Sequence, residues 1–134
     1  RPSAGPVTFL DQIDGNAMQV LLREAIGIAQ GDESLFSDFA DGGEMWTAEG
    51  TRERRKRVVF DPPFRAAPSV HVGLSLWDTD CRTNARMEVS ADNIAAGGFD
   101  IVFRTWGDTR IARVRVRWIA IGAAHHEDDW RDLE

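Results

Sequence analysis

The length, composition and charge of the chain limit what it can do. Its 134 residues suit one domain with a real core, and an apolar fraction of 43% with five Trp argues against disorder. The formal net charge of −6 would repel a nucleic-acid backbone or an anionic membrane, so we expect neither as a partner. No apolar run approaches the length needed for membrane insertion.

The first 31 residues are predicted to form an arm ahead of the main domain. Residues 1–16 are rich in Pro, Gly and Asp, which favours an irregular segment. From Asn16 onward apolar residues recur at helical spacing, which predicts one short helix over residues 17–30, ended by Gly31. Because the chain opens at Arg1 rather than at a methionine, we expect a processed or excised piece.

After Gly31 the pattern is typical of an all-β domain. Short runs of alternating side chains lie between turn clusters rich in Gly, Asp and Pro. We therefore predict a six-stranded antiparallel β-sandwich over residues 32–122, followed by an acidic tail over residues 123–134. The six strands are predicted at Leu35–Ala40, Lys56–Phe60, Ser69–Trp77, Ala85–Ala91, Phe99–Trp106 and Ile111–Ile121.

The last predicted strand carries a row of arginines on one face. Arg113, Arg115 and Arg117 alternate with apolar residues, so one face is predicted to be buried and the other polar. The polar face could be solvated, or it could be a subunit interface where guanidinium groups meet carboxylates. Spacing alone does not decide between these two. The basic run Arg52–Arg57 is interpreted as an edge strand protected by charge.

A search for catalytic motifs gives nothing. The chain has no nucleophile elbow, phosphate-binding glycine loop, dinucleotide fingerprint or helical zinc motif, so we expect no enzyme activity, no cofactor and no metal. His71 lies on a predicted strand without a nucleophile beside it, and His125-His126 is interpreted as a solvated terminus. Cys81 is the only cysteine, which excludes an intrachain disulfide and favours a buried thiol.

Polar and aromatic residues collect at the predicted turns and strand ends. They include Thr47 and Glu49 before the second strand, Asn84 and Arg86 at the fourth, and Trp106 with Asp108 at the end of the fifth. A sugar presents hydroxyls that charged groups can bind and a C–H face that can lie on an indole ring. Taken singly, each of these residues could equally be an ordinary surface group.

Three pairs of segments, between about Trp46 and Gly122, resemble the H-type lectin domain family. The segments are Thr51–Glu53 with Val58–Phe64, Pro68–Ser75 with Asn84–Val89, and Gly98–Thr109 with Trp118–Gly122. The resemblance implies a metal-independent lectin that binds N-acetylgalactosamine- or galactose-like glycans. It also implies a homotrimer with sites between subunits, and an extracellular or particle-surface location.

The resemblance also implies which residues bind the sugar. The loop acid of the family falls on Glu49, its sugar-binding arginine on Arg86 and its strand-end aromatic on Trp106, and we add Thr47, Gly107 and Asp108 beside them. The chain departs from the family pattern at Gly107, where a sugar-contacting histidine is usual, and at Glu49, where Asp is usual. A second hypothesis is a structural or host-attachment module of a larger fibre or particle, with a degenerate sugar site.

Overall fold

The computed structural model describes Met18, Val20 and residues 25–125. These described residues form six strands and two short helices, which pack as two antiparallel three-stranded sheets. In chain order the elements are β1 (Ala25–Phe36), α1 (Asp38–Asp41), α2 (Glu44–Thr47), β2 (Arg52–Val59), β3 (Ser69–Thr79), β4 (Met87–Ala95), β5 (Gly98–Thr105) and β6 (Ile111–Ala124). The predicted six-stranded antiparallel sandwich is confirmed.

Each sheet has one central strand, and we name the sheets after it. The β6 sheet has the order β1–β6–β3, and the β5 sheet has the order β2–β5–β4. Alternate residues of the two central strands point between the sheets and are buried, among them Phe99 and Phe103 from β5 and Val116 and Trp118 from β6. The rings of Phe99 and Trp118 meet edge to face at 5.4 Å, which ties the two sheets together.

The predicted N-terminal helix is wrong over residues 25–30, which begin β1. This strand pairs with β6 from Ala25 opposite Ala124 as far as Phe36 opposite Val114. Its small apolar residues fit a helical period and a strand period equally well, and the pairing with β6 decides between them. The predicted boundary at residue 31 therefore falls inside β1. The remainder of the predicted helix, apart from exposed Met18 and Val20, lies outside the described residues.

The first predicted strand, Leu35–Ala40, is also wrong beyond Phe36, because Asp38–Asp41 forms α1. The buried Asp38 carboxylate accepts a hydrogen bond from the backbone amide of Met45 at 2.9 Å. The same carboxylate pairs with Arg54 at 2.8 Å. These contacts turn the chain away from the sheet and fix α2 beside β2.

The other five strands lie where they were predicted, with changes at their ends. β2 begins at Arg52 and, among the strands of the described region, pairs only with β5, so the interpretation of the basic run as an edge strand is confirmed. β6 runs to Ala124, past the predicted start of the tail at residue 123, and residues 126–134 lie outside the described part. Cys81 is exposed rather than buried, because it lies in the turn after β3.

The outer faces of the two sheets differ in character. On the β5 sheet, charged side chains pair with one another: Arg104 joins Glu53 and Glu88, and Arg55 joins Glu53. On the β6 sheet, the alternation predicted for the last strand is confirmed, with the three arginines outward. Large apolar side chains are exposed on that same face, namely Ile26, Ile28 and Ile121.

Candidate functional site

Three loops meet at one end of the β5 sheet. In the register of this sheet, Arg52 at the start of β2 and Met87 at the start of β4 both lie opposite Thr105 at the end of β5. The loops that precede β2 and β4 and the loop that follows β5 are therefore neighbours. Residues predicted as a sugar site from separate parts of the sequence come together at this edge.

We call the predicted site residues at this edge the cluster; they are Thr47, Glu49, Arg86, Trp106, Gly107 and Asp108. Arg86 and Asp108 form its polar centre. The Arg86 guanidinium donates to the Asp108 carboxylate at 3.0 Å, and both side chains are nearly half exposed. The Asn84 side-chain amide donates to the same carboxylate at 3.2 Å. The Thr109 hydroxyl accepts a hydrogen bond from the backbone amide of Arg86 at 3.0 Å. Both the backbone and the side chain of Arg86 are thus held, while part of its guanidinium stays open to a ligand.

The hydrogen bond from the Asn84 side chain holds the pKa of the Asp108 carboxyl below its ordinary value. The backbone amide of Asn84 and the charge of Arg86 act in the same direction, and partial desolvation opposes them. A lowered pKa means that the charged form, which pairs with Arg86, persists into mildly acidic solution.

This lowered pKa predicts that the part of ligand binding that depends on Asp108 changes little with pH. A contribution from a carboxylate with a depressed pKa is present above its ordinary pKa of about 4 and is lost only as the pH falls through the lower folded value. We expect the contribution of the Asp108–Arg86 pair to ligand affinity to stay constant from neutral pH to about pH 4.5, measured by titration calorimetry. In Asn84→Ala the loss should begin at higher pH, and an unchanged profile would contradict this role of Asn84.

Gly107 adopts a backbone conformation that few other residues accept. Its φ of 73° lies in the left-handed region, and a Cβ at this position would lie 3.4 Å from the Arg86 guanidinium. The neighbouring Trp106 is 41% exposed. Gly107 therefore turns the chain sharply after β5, with the exposed Trp106 directly before it and the Arg86 guanidinium close to it.

The side chain of Arg52 is hydrogen-bonded to the loops before β2 and after β5. The sequence prediction did not include this residue in the site. The residue is 5% exposed, and its guanidinium donates to the carbonyl oxygens of Gly50 at 2.8 Å and Gly107 at 3.3 Å. It also donates to the carbonyl of Met45, at 3.2 Å. Burial lowers the pKa of Arg52, although nearby Glu44 and Glu49 oppose this shift. A single side chain thus joins α2, the loop before β2 and the loop after β5.

A backbone contact reinforces the same junction. The amide of Gly50 donates to the carbonyl of Gly107 at 2.9 Å. Arg110 adds a further link, donating to the carbonyl of Trp46 at 3.3 Å. The loop that carries Glu49 is therefore fixed against the loop that carries Trp106.

Thr47 and Glu49 have different positions in the cluster. The Thr47 hydroxyl donates to the carbonyl of Gly43 at 3.0 Å, so in a single chain this hydroxyl is used in a hydrogen bond within the turn of α2. Glu49 is exposed, and no hydrogen bond or ion pair joins it to another side chain in the described part of the chain. The structure therefore brings Arg86, Gly107 and Asp108 into contact, with Trp106 beside them, while Glu49 projects from the adjacent loop.

Two structural findings bear on metals and membranes. Within residues 25–125, no three His, Cys, Asp or Glu side chains gather in a way that could hold a metal ion. The helices of the described region are too short to cross a bilayer.

The comparisons with known proteins agree with this architecture. The chain matches the family model of the H-type lectin domain over residues 55–121, which is half of its length. It is 57% identical over 109 residues to a protein of Fuscovulum blasticum named ATP synthase subunits region ORF 7. That match covers 81% of this chain and 95% of the relative.

Discoidins are similar in both sequence and fold. The chain is 35% identical over 81 residues to one of the Discoidin-1 polypeptides of Dictyostelium discoideum, a match that covers 60% of this chain and 32% of the discoidin. The chain therefore spans about a third of that relative. The solved structure of discoidin II of Dictyostelium discoideum superposes with a TM-score of 0.62 at 24% identity, covering 75% of this chain and 38% of discoidin II, which shows the fold. Together with the family match, these findings establish that the chain belongs to the H-type lectin domain family and has a carbohydrate-binding lectin fold.

Proposed function

We propose that this chain is a metal-independent, non-enzymatic lectin for galactose- or N-acetylgalactosamine-like glycans. The proposal depends mainly on one arrangement, in which the partly open guanidinium of Arg86 and the partly exposed indole of Trp106 lie at the same end of the β5 sheet. Charged donors for hydroxyls next to an apolar ring are what a pyranose needs. Nucleic acid and membrane lipid are not proposed as partners, because the chain is acidic.

Each residue of the cluster has a separate task in this proposal. Arg86 donates to sugar hydroxyls, and Asp108 both orients Arg86 and accepts from a hydroxyl. Trp106 offers its ring to the C–H face of the sugar. Thr47 binds from the end of α2 and Glu49 from the loop before β2, and Gly107 leaves open the space that a side chain at this position would fill.

A glycan array followed by calorimetry tests the proposal. We expect binding to galactose-type terminal sugars, unchanged by a metal chelator, because the proposed site uses protein side chains and no metal. Absence of binding to every glycan would favour the attachment-module hypothesis, in which the fold is kept and the sugar site is degenerate. A chain with this function would work outside the cell or on the surface of a particle, where glycans are presented.

Replacing Trp106 with alanine should weaken sugar binding while leaving the melting temperature almost unchanged. The residue is 41% exposed at the end of β5, so removal of its ring opens no large cavity in the core. Loss of stacking on the sugar should lower the affinity roughly ten-fold. Calorimetry and a thermal melt measure the two effects. A large drop in melting temperature would show instead that Trp106 is a core residue.

We further propose that the binding unit is a homotrimer of about 45 kDa, three times the chain mass of 15.0 kDa. Within one chain, Glu49 makes no contact with Arg86, which fits a site shared between neighbouring copies. The outer face of the β6 sheet also supports assembly, because Ile26, Ile28 and Ile121 are exposed there beside the arginine row. Clustered exposed apolar side chains are typical of a protein interface.

Replacing Ile28 with aspartate should convert the trimer into monomers. Ile28 is 65% exposed in the single chain, so the charge is tolerated in a monomer but would be buried without a partner in an interface. Light scattering measures the mass. Val59→Asp is the matched control, because Val59 is 71% exposed on the other sheet and the change there should leave the mass unaltered. A parent chain that is monomeric at micromolar concentration would contradict the proposed assembly.

A further inference from the structure

The outer face of the β6 sheet carries a depression of about 610 Å³, in the size range of small-molecule sites. Side chains from all three strands line it, and the three loops of the sugar site do not contribute. The polar lining residues are Gln30, Asp32, His71, Ser75, Arg115 and Arg117. This pocket is therefore separate from the cluster around Arg86.

The register of the sheet explains why a pocket forms here. Arg117 on the central strand lies between Asp32 on β1 and Gly73 on β3. Gly73 has no side chain, and the position its Cβ would take is 4.0 Å from the nearest atom, the Nε2 of His71. The missing side chain leaves room beside Arg117. Arg115 stands two residues away on the same face of β6, since alternate residues of a strand point to one side.

The lining of the pocket has two guanidinium groups and one carboxylate. The carboxylate of Asp32 accepts from the Ser75 hydroxyl at 2.8 Å and from Arg117 at 3.4 Å. Asp78, the other acid on this face in the described part of the chain, is paired with Arg113. In the described part of the chain, Arg115 donates no hydrogen bond and forms no ion pair. Within residues 25–125, one guanidinium of the pocket thus has no carboxylate to neutralise it.

We infer that this pocket binds a small oxyanion, such as phosphate or a carboxylate, through Arg115 and Arg117. A planar guanidinium matches two oxygens of such a group. The inference rests on the proposed trimer for where the anion lies, because the pocket is on the face that we assign to contact between copies. An unpaired arginine enclosed between copies would be costly, and a bound anion neutralises it.

The test is a titration of inorganic phosphate into the purified chain at constant ionic strength, followed by phosphorus NMR line broadening and calorimetry. Holding the ionic strength constant with chloride keeps the general screening of charges the same at every phosphate concentration. We expect saturable binding, and at least a ten-fold loss of phosphate affinity in Arg115→Gln. Arg113→Gln is the matched control, because Arg113 lies on the same face of the same strand, outside the pocket, and this variant should bind phosphate like the parent. A parallel titration with acetate distinguishes phosphate from carboxylate ligands, and binding of either supports the inference.

Light scattering on the same samples separates this inference from the proposed assembly. A trimer that binds neither phosphate nor acetate up to about 10 mM overturns the anion site and leaves the assembly intact. Equal phosphate affinity in the parent and in Arg115→Gln overturns it as well. A monomeric parent refutes the assembly, and phosphate binding that depends on Arg115 would then support the site on the single chain.

Discussion

Replacing Arg86 with alanine is expected to lower the affinity for a galactose-type sugar about ten- to a hundred-fold. A hydrogen bond from a charged group contributes roughly 1.5–3 kcal/mol, which corresponds to this range of affinity. The side chain is 43% exposed, and its ion pair with Asp108 lies at the surface, so the change should hardly alter stability. Calorimetry gives the affinity, and a thermal melt checks the fold.

Arg82 provides a matched control for this substitution. It is an exposed arginine that also pairs with a neighbouring aspartate, Asp80, at 2.7 Å, in the turn between β3 and β4. Arg82→Ala removes the same charge without touching the cluster, so sugar affinity should remain that of the parent. If the Arg86→Ala variant binds a glycan identified on the array as tightly as the parent does, the proposed site is wrong.

Mixed trimers would show whether the site is shared between copies. Glu49→Ala should lower the affinity as much as Arg86→Ala, since each variant removes one charged partner of the same sugar. In trimers formed from both variants, a junction that joins the intact Arg86 of one copy to the intact Glu49 of the next recovers a complete site. Random mixing should restore about a quarter of the sites. No recovery would place both residues in a site within one chain.

Replacing Arg52 with alanine is expected to damage both stability and binding. The buried guanidinium donates to carbonyl oxygens in α2 and in the loops before β2 and after β5. Its removal leaves these acceptors with fewer donors at a cost of about 3 kcal/mol in the free energy of unfolding, since each unsatisfied buried group costs about 1–3 kcal/mol. Sugar affinity should fall as well, although the buried Arg52 is not part of the proposed binding surface, because the loops carrying Glu49 and Trp106 lose their common support.

Two further variants separate support of the loops from charge alone. Arg52→Lys keeps the charge but loses the planar fork, so it should recover only part of the stability and binding. Arg57→Ala removes an exposed arginine of the same strand and should leave both quantities unchanged. Chemical denaturation measures the first effect and calorimetry the second. If Arg52→Ala binds sugar with the affinity of the parent, the loops hold their positions without it.

Much of the fold could be predicted because alternating side chains mark strands directly. In β6 the alternation of Val114 and Val116 with arginines indicated both the strand and its buried face. The start of β1 was mistaken for a helix because small apolar residues such as Ala25 and Ala29 satisfy both periods. Only the pairing of β1 with β6, a contact between distant parts of the chain, resolves that ambiguity.

Part of the candidate site could likewise be predicted from the sequence, and part depends on contacts between distant residues. The resemblance to the lectin family pointed to Arg86 and Trp106, and the structure places them at one edge of the sheet. Arg52 was missed because it stands in a run of basic residues, where a surface position is the ordinary expectation. Its burial follows from the position of α2, whose carbonyl oxygens accept hydrogen bonds from it; that position depends on Asp38 and Gly43 and has no short sequence signature.

All the hydrogen bonds that Arg52 donates go to backbone carbonyl oxygens, so they do not depend on the side chains at positions 47 and 49. Substitutions at Thr47 or Glu49 would leave these contacts in place. The tip of the sandwich can therefore acquire a different ligand preference through single substitutions without first losing its framework. A library randomised at these two positions, with Arg52 kept, is accordingly a practical starting point for recognition of new glycans on an unchanged scaffold.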